Sequence, residues 1–302
     1  ICMMAGTASL PHILMRYFTT PSVRSARKSV AWSLLFIFLL YFTAPSYAAF
    51  AKYEIYNNVI GASIAALPEW VQIYSSIGLV TINDLNNDGI LQFNELRINP
   101  DVIVIATPEI AGLPYVIAGL VAAGGLAAAL STADGLLLAI ANALSHDIYY
   151  RMIDPQASTA KRLLIARVLL VVVAILAAAV ASTRPGGILA LVAWAFSLAA
   201  AGLFPVLVLG VWWKRCTKEG AIAGMLVGFG FTLFYLVMTR YFGMPLWFGV
   251  SNISAGLFGI PTGFLAAIIV SLMTPAPSKE MQDFIDSIRI PRGQTLMEEK
   301  AD

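Results

Sequence analysis

Two short stretches carry side chains able to do chemistry in a sequence that is otherwise largely hydrocarbon. The first is DLNNDGILQFNE, residues 84–95. Its oxygen-bearing residues fall at the ligand positions of an EF-hand calcium loop, with Gly where the chain must turn sharply. Asp84, Asn86, Asp88, Ile90 through its carbonyl, Gln92 directly or through water, and Glu95 are the ligands this spacing predicts, and Gly89 makes the turn. Ca²⁺ takes roughly six to eight oxygens and a closing bidentate carboxylate, which suits early alternating acids and a final Glu. A polar Asn/Asp/Gly turn without metal is the competing reading. If the ion binds, its role is structural, clipping the loop from Ala48 to Ala106.

The second stretch is STAD, Ser131 to Asp134, inside GGLAAALSTADGLLLAIANALSHDIYY. Polar side chains at bilayer depth are costly and mark an ion or substrate path by default. The hydroxyls of Ser131 and Thr132, with a freed carbonyl at Ala128, would furnish three hard oxygens for a dehydrated Na⁺. Ala127, Ala128 and Ser131 share a face, where small side chains let neighbouring backbones approach. The alternative is that both hydroxyls bond back to the preceding turn. Asp134 reads as a second ion or proton group, or as the partner of a helix outside this sequence.

The elements that position these groups follow from composition. Of 302 residues, 59% are hydrophobic and 12% charged, with mean hydropathy +0.80. A soluble domain carries about a quarter charged residues, so a water-soluble fold is excluded. The net charge is +2 and the basic residues are scattered, so there is no nucleic-acid footprint. Cys2 and Cys216 are far apart and form no disulfide or metal pattern. There is neither an H-E-x-x-H motif nor a nucleophile–base set, so the sequence reads as no enzyme.

Six apolar runs are long enough to cross ~30 Å of hydrocarbon. They are Val30 to Tyr47, a long run ending near Ile148, Leu163 to Ala181, Ile188 to Trp212, Ala221 to Met238, and Ile253 to Met273. Ile1 to Phe18 reads as the end of a seventh helix, and a chain that starts on Ile1 in apolar sequence reads as a fragment of something longer. As one straight helix, Leu113 to Ile148 would reach roughly 54 Å. A break at Pro114 or at Gly124-Gly125 is therefore expected, leaving a surface helix and a span from about Leu120 to Leu144. A basic start, apolar middle and A-x-A-like end near residues 15–50 imitate a secretory signal, but five further spans argue against one.

The organisation predicted is residues 1–28 as a truncated helix and loop, 29–47 as a span, and 48–112 as an external loop. Residues 113–273 hold five spans and 274–302 form a tail. Arg and Lys concentrate on the side of the two termini, among them Arg16, Arg24, Arg27, Lys28, Lys214, Arg215, Arg292 and Lys300. Lys52, Arg97, Arg184 and Arg240 face the other side. The positive-inside rule then makes the termini cytoplasmic. In the tail, Pro291 to Gly293 and the acidic Glu298-Glu299 read as solvated polypeptide.

The chain resembles the sodium:solute symporter family. The residues that carry the resemblance are STAD at Ser131 to Asp134, HDIYY at His146 to Tyr150 and GTASLPHILMRYF at Gly6 to Phe18. FPVLVLGVWWKR at Phe204 to Arg215, EGAIAGMLVG at Glu219 to Gly228 and TPAPS at Thr274 to Ser278 extend it. The resemblance implies an all-α membrane protein, a partial LeuT-like helical bundle, of which this chain is the second half. It also implies a carrier that exposes a central site alternately to each side. Ile1 to Phe18 would be the tail of the broken sixth core helix and the first four spans core helices seven to ten. In the family the second sodium site takes a carbonyl and two hydroxyls from the eighth core helix, which map to Ala128, Ser131 and Thr132. Its remaining carbonyls come from the first core helix, in the N-terminal half that is missing here. The GTASLPHILMRYFT block, Gly6 to Thr19, and TPAPS look most like the branch of bacterial acetate and small-monocarboxylate permeases. His12 in that block reads as a structural cap.

The function expected is sodium-coupled symport of a small organic anion across the bacterial inner membrane. A proton-coupled carrier is one alternative, and a membrane sensor or scaffold of symporter-like fold another.

Overall fold

The computed structural model describes residues 1–17 and 19–289. Phe18, and the tail features at Pro291 to Gly293, Glu298-Glu299, Arg292 and Lys300, lie outside the described residues. The protein is an all-α membrane protein, with one two-stranded ribbon among the described residues. Among the described residues six helices are long and apolar enough to cross a membrane: Val23–Val59, Tyr115–Ile153, Thr159–Ser182, Ile188–Trp212, Lys218–Tyr241 and Asn252–Met273. The chain divides into two compact units, Lys28–Asp134 and Ile1–Arg27 with Gly135–Asp302.

In the first unit, the long helix α3 (Val23–Val59) runs through Pro45 without ending at Tyr47. The extension has a packing cause. Ala51, Ile55 and Val59 recur on one face of the helix and are buried, and Ile55 and Val59 join Leu67, Trp70, Val71, Val80, Leu91 and Val102 in a core. The segment expected as an external loop therefore folds around its own apolar centre. It contains α4 (Glu69–Ser76), the strands β1 (Val80–Ile82) and β2 (Leu96–Ile98), and α5 (Ile103–Ile110). The strands pair antiparallel, Val80 opposite Ile98 and Ile82 opposite Leu96. The Tyr74 hydroxyl on α4 donates to the Glu109 carboxylate on α5 (2.9 Å), and burial with that carboxylate raises the Tyr74 pKa to about 12.

The expected break at Gly124-Gly125 does not occur. Helix α6 is continuous over Tyr115–Asn142, and the chain then widens to i→i+5 bonding over Ala143–Ile153. Pro114 sits just ahead of the first turn, where its carbonyl accepts from the Ile117 N–H (2.8 Å) and its missing N–H costs nothing. A glycine costs a helix only about 1 kcal/mol relative to alanine. The Leu- and Ala-rich turns around Gly124 and Gly125 outweigh that.

The second unit begins with α1 (Cys2–Ser9) and α2 (Pro11–Tyr17), so the expected helix end is two short helices bent before Pro11. α7 (Thr159–Ser182) packs on the Ala143–Ile153 segment, and α1 packs on α8 (Ile188–Trp212). α8, α9 (Lys218–Tyr241) and α10 (Gly256–Met273) pack closely on one another. Their shared seam is made of small residues, with Ala201, Gly228, Gly259 and Gly263 meeting backbone to backbone, as close helix approach in a membrane requires. Buried hydroxyls sit beside it: Ser197 on α8 donates to the Ile253 carbonyl just ahead of α10 (2.8 Å), and Thr232 donates within α9 to the Gly228 carbonyl (2.9 Å). At one end of the seam the rings of Tyr235, Trp247 and Phe258 meet in tilted and edge-to-face contacts, and the Tyr235 hydroxyl donates to the Val250 carbonyl (2.6 Å).

Ahead of the tail features that lie outside the described residues, the chain forms α11 (Lys279–Arg289). Ile285 is buried, Lys214 pairs with Asp286 (2.6 Å), and Arg289 donates to the Val211 carbonyl at the end of α8 (2.7 Å).

Candidate functional site

The Ser131 and Thr132 hydroxyls both meet the Ala128 carbonyl of their own turn. Ser131 Oγ lies 3.0 Å and Thr132 Oγ1 3.2 Å from the Ala128 carbonyl oxygen. Both hydroxyls donate to that carbonyl, so it is not freed: the back-bonding arrangement holds in this chain, and an uninterrupted helix is the reason. Donating its proton leaves each hydroxyl oxygen with lone pairs to turn toward a cation. All of these residues are exposed in the structure. Asp134, one turn further along, is exposed as well and has no partner among the described residues.

The 84–95 loop is folded by its own side chains. Asp84 Oδ2 accepts from the Gly89 N–H (3.0 Å), Asn86 Oδ1 from Asp88 N–H (3.1 Å), and Asp88 Oδ1 from Ile90 N–H (2.8 Å). Glu95 is 3% exposed; its two carboxylate oxygens accept from Leu85 N–H and Gln92 N–H, each at 2.9 Å. Gly89 has φ 71° and Asn87 φ 58°, the left-handed backbone a sharp turn needs. The N–H of Ile90, then Asn86 and Gln92, hold the Asp88 carboxyl below its usual range. Strands, not helices, flank the loop. Leu91 exchanges main-chain bonds with Gly61 and Ala62 (2.8 and 2.9 Å), which ties the loop to the end of α3.

For an ion the fit is partial. Asp84 Oδ1 is buried and has no hydrogen-bond partner, an arrangement that costs free energy unless something cationic meets it. Yet among the described residues no three of His, Cys, Asp and Glu gather to hold a metal. A shell here would need the neutral oxygens of Asn86, Ile90 and Gln92 beside the carboxylates. His12, expected as a cap, offers no such bond, since its Nδ1 is buried and unpartnered.

Residues 1–228 match the model of the sodium:solute symporter family. The chain belongs to that family. It is 53% identical over 298 residues to an uncharacterized symporter of Cupriavidus necator, covering 95% of this chain and 44% of the relative. It is 31% identical over 201 residues to the sodium/proline symporter of Escherichia coli, covering 64% and 38%. The monocarboxylic acid transporter of Corynebacterium glutamicum is 27% identical over 236 residues, covering 76% and 36%. The chain thus spans less than half the length of these curated relatives. No solved structure matches it.

Two features of this symporter chain escaped sequence reasoning. Arg215, in the block that carries the family resemblance, donates to the carbonyls of Ser271 (2.6 Å) and Thr274 (2.7 Å) and so caps α10. Its only signal was position, at the end of an apolar run, where it was counted as a topology charge. Asp154 binds Lys161 Nζ (2.8 Å) and the Tyr149 hydroxyl (3.2 Å), and Arg162 lies 4.2 Å from the centre of the Tyr150 ring. The Lys161 ammonium, and after it Tyr149, depress the Asp154 carboxyl pKa. A depressed carboxylate stabilises the fold above its unfolded pKa and loses that contribution as pH falls through the folded one. In Asp154→Asn, the amides of residues 150–160 are therefore expected to exchange hydrogen faster than wild type at neutral pH. The difference should vanish once acid has protonated Asp154 in the wild type.

Proposed function

We propose that this chain is part of a carrier that couples the entry of Na⁺ to uptake of a small organic anion, a monocarboxylate such as acetate, by alternating access. The observation that carries the reading is the cluster of Ala128 O, Ser131 Oγ and Thr132 Oγ1 on one turn of a membrane-spanning helix, in a chain of this family. In the complete carrier these three oxygens supply part of a sodium shell once the two hydroxyls turn from the Ala128 carbonyl to the ion, and the remaining oxygens come from the N-terminal half. Asp134 serves as a second ion or proton group. The Corynebacterium relative's name supports the substrate class. The carrier sits in a bacterial inner membrane with the ends of this chain cytoplasmic and residues 48–112 external, as the Lys and Arg distribution favours.

Uptake of radiolabelled acetate into proteoliposomes holding the complete carrier tests this. Uptake is expected to saturate in acetate and to collapse when choline replaces sodium. Equal uptake in sodium-free medium would overturn sodium coupling. A proton-coupled carrier is the second reading, favoured by the unpartnered Asp134; uptake driven by a pH gradient alone and abolished in Asp134→Asn would establish it.

The 84–95 loop holds a structural Ca²⁺ in this reading, supported by its ligand spacing and by the orphaned Asp84 Oδ1. Abundant calcium outside the cytoplasm makes weak binding, Kd on the order of 10⁻⁴–10⁻³ M, sufficient. Chelator is expected to speed proteolysis of the loop in membranes several-fold. Asp84→Asn, which keeps an acceptor for Gly89 N–H, should remove that sensitivity. Cleavage indifferent to chelator in the wild type would reject the ion.

A further inference from the structure

The Lys28–Asp134 unit contains a cavity of about 1240 Å³ that neither proposed ion site uses. Its walls come from the middle and end of α3, from β2 and the following turn, from α5, and from Val121 near the start of α6. Two properties point to its occupant. The first is a polarity gradient along the cavity. Leu40, Thr43 and Ala44 line it from the membrane-spanning part of α3 and Val121 from the span of α6, whereas Lys52 and Arg97 line it beyond the apolar runs. The cavity therefore straddles the boundary between hydrocarbon and water. Tyr47, at that level, donates its hydroxyl to the Val104 carbonyl (2.9 Å) and holds α3 to α5 there.

The second property is charge. The lining includes two cations and no acid, and neither Lys52 nor Arg97 has an ion-pair partner among the described residues. The apolar walls are open: Leu40, on the membrane-spanning part of α3, is 65% exposed and Val104, at the level of Tyr47, is 58% exposed. A water-filled hollow of this lining is unfavourable, and so is a neutral hydrocarbon beside two unpaired cations. An amphiphile with an anionic head and apolar chains satisfies both ends.

We propose that this cavity binds an anionic phospholipid of the surrounding leaflet, its phosphate between Lys52 and Arg97 and an acyl chain against Leu40, Ala44 and Val121. The proposal is independent of which solute the carrier moves.

The test uses the complete carrier in vesicles of phosphatidylcholine doped with a photoactivatable phosphatidylglycerol bearing the reactive group on its acyl chain. Adducts are mapped by peptide mass spectrometry. Labelling is expected within residues 40–50, 98–104 and around Val121. The phosphatidylcholine analogue should label these segments weakly. Lys52→Gln and Arg97→Gln should each lower phosphatidylglycerol labelling about fivefold, the worth of one cation at a lipid surface, while Lys52→Arg retains it. An unchanged size-exclusion profile separates lost binding from misfolding. Equal labelling by both lipids would overturn headgroup recognition. No adduct in these segments would mean that the rest of the carrier or a second copy fills the cavity, and would overturn the proposal.

Discussion

Replacing both Ser131 and Thr132 by Ala in the complete carrier is expected to reduce sodium-driven uptake to background. A hydrogen-bond-like contact to a charge contributes about 1.5–3 kcal/mol. Each single substitution should then raise the half-saturating sodium concentration by about one to two orders of magnitude. The helix itself should survive, because both hydroxyls bond only to the Ala128 carbonyl of their own turn and Ala favours a helix more than Ser or Thr does. Uptake measured over a range of sodium concentrations, with circular dichroism on the same preparations, separates the two effects. Ser131→Thr, which keeps an oxygen, should retain measurable coupling. Unaltered sodium dependence in the double variant would remove these oxygens from the ion site.

The second large effect concerns the seam of α8, α9 and α10. A Cβ on Gly228 would overlap the Ala201 carbonyl oxygen, and one on Gly259 would overlap Thr232 Oγ1 and lie 2.7 Å from the Gly228 carbonyl oxygen. Two of those obstacles are main chain and cannot rotate away. Gly228→Val and Gly259→Val are therefore expected to force the helices apart, at about 1–3 kcal/mol or more each. In the purified carrier this should lower the midpoint of thermal unfolding by roughly 5 °C or more. Gly230, two residues along α9, has nothing within 4 Å of its virtual Cβ. Gly230→Ala should leave stability unchanged or raise it slightly. Equal behaviour of Gly228 and Gly230 variants would show that the seam is not held by close backbone contact.

The spans were legible because hydrocarbon thickness sets their length. Ile188–Trp212 has the bounds its apolar run predicts. The length of α3 was not, because Lys52, Glu54, Asn57 and Asn58 lower local hydropathy while Ala51, Ile55 and Val59 keep a helical stripe. That stripe is a periodic signal which a search for uniformly apolar runs passes over. Residues 48–112 looked like a loop for the same reason, their core being assembled from scattered residues such as Trp70, Leu91 and Val102. For the proposed sodium site the sequence names only Ala128, Ser131 and Thr132, neighbours in one helix, whereas a shell shared among helices is set by packing that one helix's residue types do not encode. The Asp154–Lys161 pair was hidden because a count of charges per side ignores how those charges are paired.

The seam of α8, α9 and α10 also constrains motion. Long side chains can change rotamer and let two helices slip past one another; carbonyls facing glycines cannot. A slip of even part of a turn would drive Ala201 O against the flank of α9, where Gly228 now leaves room for it. In the proposed carrier these three helices would then travel as a single rigid block, with the pivots of inward and outward opening elsewhere.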